Sequence, residues 1–203
     1  MTPEWLGRVP YVEARDRQLA RRRAIIEGTA DEAFWLLEHD PVITTGRRVV
    51  DLDEAALRAA GIDVVHTERG GLATWHGPGQ LVGYVLIDIQ RHGLKVRTMV
   101  EALEQGLINW LGTEGVTAAR RGGYPGVWVG TDKIAALGLH FSRGVSMHGF
   151  ALNLCPSLDG FARIVPCGIT DGGVTTFERV TGRRLEPRDA AERVGSAVLA
   201  ALG

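Results

Sequence analysis

Cysteine and lysine are both scarce in this chain of 203 residues. The 2 cysteines, Cys155 and Cys167, show no CxxC spacing, so neither a disulfide framework nor a zinc ribbon is indicated. Of the 23 basic residues only Lys95 and Lys133 are lysines. Arginine stays protonated, whereas a buried lysine can lose its proton, so any chemical role for an amine falls on one of these two residues. Lys133 is the stronger candidate, and Lys95 is consistent with chance occurrence.

Excess charge and long apolar runs are also missing. The net charge of −1 and the pI near 6.6 give no bulk electrostatic attraction to nucleic acid or to an anionic membrane. No stretch reaches the roughly 18 consecutive apolar residues of a membrane span, and residues 1–10 lack the pattern of a secretory signal. We therefore expect a cytoplasmic protein that has neither nucleic acid nor membrane as its partner.

The hydrophobic content of 45% is enough for a proper core, and no linker, repeat or low-complexity tract divides the chain. We expect one domain over residues 1–203. Strand pairs mixed with scattered helices favour an α+β fold over a regular βαβ alternation. The patterns predict helices over 11–27, 53–60, 97–111 and 187–202, and strands over 34–37, 42–45, 62–67, 81–89, 126–129, 133–141 and 145–154.

Two of the predicted helices carry specific expectations. The helix over 11–27 has Val12, Leu19 and Ile26 near one face and five arginines elsewhere, which form either a solvated basic face or a surface for an acidic carrier protein. The helix over 97–111 is expected to be capped by Gly112.

The segment 69–80 is unusually rich in glycine and polar groups, and we expect it to lie outside the core. Glycine lets the backbone approach a ligand closely, while His76 and Gln80 supply hydrogen-bonding side chains. A long glycine-rich hairpin is the structural alternative. The segment leads directly into an apolar strand, so a ligand-binding loop on a rigid scaffold is the functional interpretation.

Three further residues are candidates for chemistry. Cys167 lies on a turn between proline and glycine, where it is either a nucleophile or an exposed or packed thiol, whereas Cys155 is expected to pack. Lys133 opens a strand of small residues and would favour a thiolate if placed against Cys167. His148 fits a hydrogen-bonded core histidine about as well as a site residue.

Five blocks together closely resemble the lipoyl(octanoyl) transferases, and they occur in the same order. They are Arg69-Gly-Gly-Leu-Ala-Thr-Trp-His-Gly-Pro-Gly-Gln-Leu-Val, Gly126-Val-Trp-Val, Lys133-Ile-Ala-Ala-Leu-Gly, His148-Gly-Phe-Ala-Leu-Asn and Pro166-Cys-Gly-Ile. The resemblance runs from about residue 39 to residue 176. Trp75 and Phe177 stand where tyrosine and leucine are more common in that family.

The resemblance implies a fold like that of the biotin and lipoate protein ligases, with mixed or antiparallel sheets and surrounding helices. It implies transfer of an octanoyl group from octanoyl-acyl carrier protein to a lysine of lipoyl domains, namely those of 2-oxoacid dehydrogenases and the glycine cleavage H protein. We expect a monomer by default, without cofactor or metal. Cys167 would carry the acyl thioester and Lys133 would lower its pKa. Carried over as substrate contacts are Arg69, Gly70, Gly71, Leu72, Ala73, Thr74, Trp75, His76, Ala136, Leu137, Gly138, Gly149, Phe150 and Ala151.

This interpretation leads to two structural expectations and has three rival functions. We expect an apolar slot near residues 135–139, and an oxyanion site built from backbone N–H groups with the aid of His76. An ATP-dependent lipoate or biotin ligase would share the architecture but need no nucleophilic thiol. A thioester hydrolase would differ only in passing the acyl group to water. A non-catalytic acyl-binding module would leave Cys167 and Lys133 without a role.

Overall fold

A computed structural model describes residues 1–48, 52–164 and 172–203. Within these ranges the strands are β1 (Pro3–Arg8), β2 (Ala33–Glu38), β3 (Val42–Thr45), β4 (Asp63–His66), β5 (Thr74–His76), β6 (Gln80–Leu86), β7 (Ala119–Arg121), β8 (Tyr124–Val129), β9 (Asp132–Ser142) and β10 (Val145–Asn153). The helices are α1 (Tyr11–Ile26), α2 (Glu54–Ala59), α3 (Val96–Thr113), α4 (Phe177–Thr181) and α5 (Pro187–Leu202).

The strands form two sheets. The large sheet has the order β1-β2-β6-β10-β9-β8-β7, with β1 and β2 parallel and its other pairs antiparallel. The small sheet has the order β4-β3-β5, with β3 parallel to β4 and antiparallel to β5. The α+β class with mixed sheets is therefore confirmed, as is the antiparallel meander of β8, β9 and β10.

Helices cover both faces of the large sheet. Helices α3 and α5 pack on each other and bury one face around Phe34, Met99 and Val198. The other face lies under α1, with Ile25, Trp35 and Val82 in its core. Among the described residues no helix is long and apolar enough to cross a membrane.

Two expectations about the helices were wrong. Helix α1 buries Tyr11, Ala14, Gln18 and Ile25, while Val12 is 54% exposed. The apolar positions therefore misplace its inner face, which includes polar groups that serve a cavity. Gly112 lies inside α3, which ends at Thr113 and has Glu114 as its C-cap. Hydrophobic spacing does not register the two extra residues.

The glycine-rich segment is less exposed than expected. Its residues Thr74–His76 form β5, and Trp75 packs against Phe161 in the core of the small sheet. Residues 69–73 and 77–79 lie outside the strands, and the expectation that the whole segment avoids the core was wrong. Strand β5 pairs with β3 at one edge of the small sheet, and its three residues are all buried.

Candidate active site

The loop over residues 69–72, called the glycine loop, is fixed over strand β9. The Arg69 side chain is buried and donates to the Thr44 backbone oxygen at 2.6 Å and to the Gly70 oxygen at 2.9 Å. The Gly70 N–H donates to the Leu139 oxygen at 3.1 Å. Arg69 thus ties the small sheet to the loop, and the loop in turn to the large sheet.

Small residues on β9 and β10 make room beneath this loop. Ala136 lies opposite Ala151 and Gly138 opposite Gly149. A Cβ at Gly138 would lie 3.2 Å from Arg69 Cδ, and a Cβ at Gly149 would lie 2.2 Å from the Gly83 oxygen on β6. Glycine is therefore needed at position 149 for the close approach of β6, and at position 138 it leaves room for the Arg69 side chain.

Two adjoining cavities lie on this floor of small residues, with Thr74, Ala136 and Ala151 in the walls of both. The inner one lies under the glycine loop. The outer one has a volume of about 370 Å³ and is bordered by Lys133. The inner cavity is lined by Tyr11, Arg69, Gly71, Thr74, His76, Val82, Tyr84, Ala136, Leu137, Gly138, His148, Gly149, Phe150 and Ala151.

Most of the expected substrate contacts thus surround one cavity, and four lie elsewhere. Gly70 borders a third cavity of about 370 Å³ that shares Lys133 and Ala136 with the outer one. Ala73 and Trp75 pack in the core of the small sheet. The Leu72 oxygen accepts the Gly46 N–H at 3.3 Å. Leu72, Ala73 and Trp75 therefore support the loop from the side of the small sheet.

Lys133 is buried, with 8% of its surface exposed. Its ammonium donates to the Pro125 oxygen at 3.0 Å and lies 4.8 Å from the centre of the Trp128 ring. A strand-opening lysine is ordinarily solvated, so this burial is a site-like feature. The cation is held where the outer and third cavities meet.

Cys167 lies outside the described residues, as does the rest of its Pro-Cys-Gly-Ile block. Ile164 and Gly172 both border the outer cavity together with Lys133. Beyond Gly172, the Lys133 N–H donates to the Gly173 oxygen at 2.9 Å, and the Thr175 N–H donates to the Lys133 oxygen at 3.0 Å. Cys155 is buried as predicted, and burial raises its pKa to about 11.

A chain of hydrogen bonds runs behind the cavities. His76 Nδ1 lies 2.7 Å from Gln80 Oε1, and Gln80 Nε2 donates to Asn153 Oδ1 at 2.9 Å. Burial holds the pKa of His76 well below its ordinary value, so the ring is neutral and its one N–H is donated to Gln80. This geometry commits the one N–H of the His76 ring to Gln80.

Sequence reasoning missed a group of polar residues at the inner end of the cavity. Tyr84 donates to His39 Nε2 at 2.7 Å, and His39 Nδ1 donates to the Val9 oxygen at 2.7 Å. Burial lowers the pKa of His39 to about 4 and raises that of Tyr11 to about 12, so both are uncharged at neutral pH. Tyr11 opens the arginine-rich helix, and its only signal was an aromatic residue beside Pro10.

His148 lies at the wall of the inner cavity. It is 2% exposed and has φ of +65°, a left-handed conformation that is uncommon outside glycine. Its backbone N–H donates to Gln18 Oε1 on α1 at 2.9 Å, and its ring Nε2 lies 3.8 Å from Glu68 Oε1. Burial lowers the pKa of His148, while His148 and Arg15 hold the pKa of Glu68 far below its ordinary value.

The arginines of α1 largely contact this protein itself. Arg15 pairs with Glu68 at 2.9 Å, and Arg22 contacts His140 Nδ1 at 2.7 Å. Two more arginines pair with glutamates one turn away on the same helix, and another lies over the Trp35 ring. These contacts favour the solvated face over a surface for an acidic carrier.

The sequence and the fold match a known class of protein. Residues 10–199 match the model of the lipoyl protein ligase A/B catalytic domain, and the chain belongs to that family. A bi-partite lipoate protein ligase from Thermoplasma acidophilum superposes with a TM-score of 0.71 at 20% identity, covering 98% of this chain and 81% of its own. Biotin protein ligase from Aquifex aeolicus, in complex with biotin and ATP, gives 0.61 at 13%, covering 99% and 70%. These likenesses establish the ligase-like fold.

The sequence relatives narrow the class to octanoyltransferases. The octanoyltransferase of Methylococcus capsulatus is 50% identical, covering 93% of this chain and 90% of its own. That of Leifsonia xyli is 43% identical, covering 96% and 88%. The resemblance of the five sequence blocks to the lipoyl(octanoyl) transferases is thereby confirmed.

Proposed function

We propose that this protein transfers an octanoyl group from octanoyl-acyl carrier protein to a lysine of lipoyl domains through a thioester on Cys167. The acceptors would include lipoyl domains of 2-oxoacid dehydrogenases and the glycine cleavage H protein, and the enzyme would act as a cytoplasmic monomer. The observation that carries the proposal is the buried Lys133 ammonium, which borders a cavity together with both ends of the segment that contains Cys167. The names of the sequence relatives support the same activity.

The cavities suit a medium-length acyl chain. The four residues of β9 from Ala136 to Leu139 span a rise of about 10 Å, comparable with an extended eight-carbon chain. An acyl group whose carbonyl lies near Lys133 in the outer cavity would pass between Ala136 and Ala151 and place its tail under the glycine loop. Side chains larger than alanine at this passage would close it.

The chemistry balances without ATP. The Cys167 thiolate attacks the carbonyl carbon of the donor thioester, the new C–S bond forms, and the bond to the carrier sulfur breaks. The carrier thiolate takes up a proton. The neutral amine of the acceptor lysine then attacks the Cys167 thioester, an amide forms as the nitrogen releases one proton to solvent, and Cys167 leaves again as thiolate. The nearby Lys133 ammonium favours the thiolate in both steps through charge attraction.

Two cavities lead to Lys133, which suits a reaction with two half-reactions. The outer cavity and the third cavity share Lys133 and Ala136 but have otherwise different walls. The third is bordered by Tyr124, which is 37% exposed, and by Arg48. A donor and an acceptor protein can therefore approach the same centre, one after the other, from different sides.

The test is transfer without nucleotide. The protein is incubated with octanoyl-acyl carrier protein and an unmodified lipoyl domain, and the mass of the domain is measured with and without ATP. We expect an increase by one octanoyl group that does not depend on ATP. Modification only with free octanoate and ATP would indicate a ligase. Release of free octanoate with no modified domain would indicate a hydrolase, and neither product would indicate an acyl-binding module.

A further inference from the structure

The peptide group between Pro125 and Gly126 is held from both sides by charged side chains. Its oxygen accepts the Lys133 ammonium at 3.0 Å. Its N–H donates to Glu104 Oε1 at 2.8 Å. A carboxylate on helix α3, a single peptide group and the Lys133 ammonium thus form one continuous line of hydrogen bonds.

Glu104 is placed for this contact at some energetic cost. The side chain is 4% exposed, and a buried carboxylate is unfavourable unless it is paired and hydrogen-bonded. Its second oxygen accepts Arg120 Nε at 3.0 Å, which supplies the pairing. A glutamate in the middle of an otherwise apolar helix face therefore serves the Pro125–Gly126 peptide directly.

The backbone at Gly126 is shaped for the same purpose. Its φ of +138° is strained for any other residue. A Cβ there would lie 2.7 Å from the Ala135 oxygen and 3.0 Å from Lys133 Cε. Glycine lets the peptide lie against the lysine stem, and Glu104 then fixes the orientation of that peptide.

We propose that Glu104 is a positioning residue for Lys133, acting through the Pro125–Gly126 peptide to present the oxygen that receives the ammonium. The inference rests on the proposed function, in which that ammonium favours the Cys167 thiolate. A carboxylate bonded to the N–H polarises the peptide and makes its oxygen a stronger acceptor. Without Glu104 the peptide loses its fixed orientation, and the ammonium loses its place beside the outer cavity.

Other charged groups surround Lys133 and stay the same in the test. The Arg121 guanidinium lies 5.0 Å from the Trp128 ring that Lys133 also contacts. Asp132 Oδ1 accepts the Gly173 N–H at 2.9 Å, and Arg179 borders the outer cavity. Arg120 pairs with Glu104 and has further partners on α3, namely the Glu101 oxygen and the Gln105 side chain.

The experiment follows the rate at which iodoacetamide alkylates Cys167 as pH is varied, with peptide mapping to separate Cys167 from Cys155. Glu104→Met removes the carboxylate that accepts the Gly126 N–H. We expect the midpoint of the alkylation rate against pH to rise by about one pH unit, in the same direction as for Lys133→Met. Glu104→Asp draws the carboxylate back by one methylene and moves the profile the same way. Glu104→Gln keeps an acceptor oxygen and restores most of the wild-type profile. Glu101→Gln, which alters an exposed pair with Arg97 on the same helix, changes nothing.

The double variant separates positioning from a merely structural role. If Glu104 positions Lys133, Glu104→Met adds no further shift to Lys133→Met, because the group that it positions is gone. If Glu104 is merely structural, the double variant shows an additional shift. Glu104→Asp and Glu104→Met profiles that match wild type, while Lys133→Met shifts, would overturn the inference and leave the proposed function intact. An additional shift in the double variant would also overturn it. A Lys133→Met profile equal to wild type would instead remove Lys133 from the proposed function itself.

Discussion

Octanoyl transfer by the Lys133→Met variant is expected to fall by about 100-fold or more, within the range that positioned proton-transfer and charge-stabilising groups contribute. Methionine keeps the length of the side chain but removes the cation, so the Cys167 thiol loses the charge that favours its ionised form. The Pro125 oxygen also loses its donor at 3.0 Å. The measurement is the initial rate of acylation of a lipoyl domain from octanoyl-acyl carrier protein.

The chain offers a matched control. Lys95 is the only other lysine in the sequence, and it is exposed at the start of α3. Lys95→Met should keep the wild-type rate. Equal rates for wild type and Lys133→Met would show that the buried ammonium has no part in the reaction. Equal losses in both variants would indicate that overall charge matters and not the position of Lys133.

Gly149→Ala is expected to reduce the free energy of unfolding by about 3 kcal/mol, the upper part of the range for overpacking a core. The added Cβ would lie 2.2 Å from the Gly83 oxygen, and both groups belong to central strands of the large sheet. Because the nearest atom is backbone, β6 and β10 must separate for the methyl group to fit. The shift also disturbs the cavity floor, so transfer should fall together with stability. Chemical denaturation at neutral pH gives the free energy.

Gly112→Ala serves as the comparison. A Cβ at Gly112 has no atom within 4 Å beyond its own helix and chain neighbours, and the residue lies inside α3. Alanine should therefore leave stability unchanged or raise it by up to about 1 kcal/mol. A Gly149→Ala protein as stable as wild type would mean that the two strands are not held as closely as the structure places them.

Strong local periodicity made part of the fold predictable. The last helix carries apolar residues at helical spacing and proline at its first position, and its predicted bounds, 187–202, coincide with α5. The meander of β8 to β10 follows from short turns between apolar runs. The parallel pairing of β1 with β2 joins segments about thirty residues apart in sequence, and nothing in either segment alone specifies that pairing.

The site was predictable where residue type itself was unusual. The scarcity of lysine singled out Lys133, and the density of glycine singled out the segment whose first part lies over β9. The supporting polar groups could not be found in this way. Gln18 and Glu104 lie 130 and 22 residues from the backbone amides they accept, so only the folded chain brings them to the site. On a helix pattern both look like ordinary polar positions.

The central claim is that Cys167 carries the octanoyl group, and intact-protein mass spectrometry tests it most directly. The protein is incubated with octanoyl-acyl carrier protein without acceptor, under conditions that preserve thioesters, and the adduct is located by peptide mapping. We predict one octanoyl group on Cys167 that disappears when a lipoyl domain is added and is absent from Cys167→Ser. Acylation of the lipoyl domain at the wild-type rate by Cys167→Ser, with no adduct on the wild-type protein, would contradict the account.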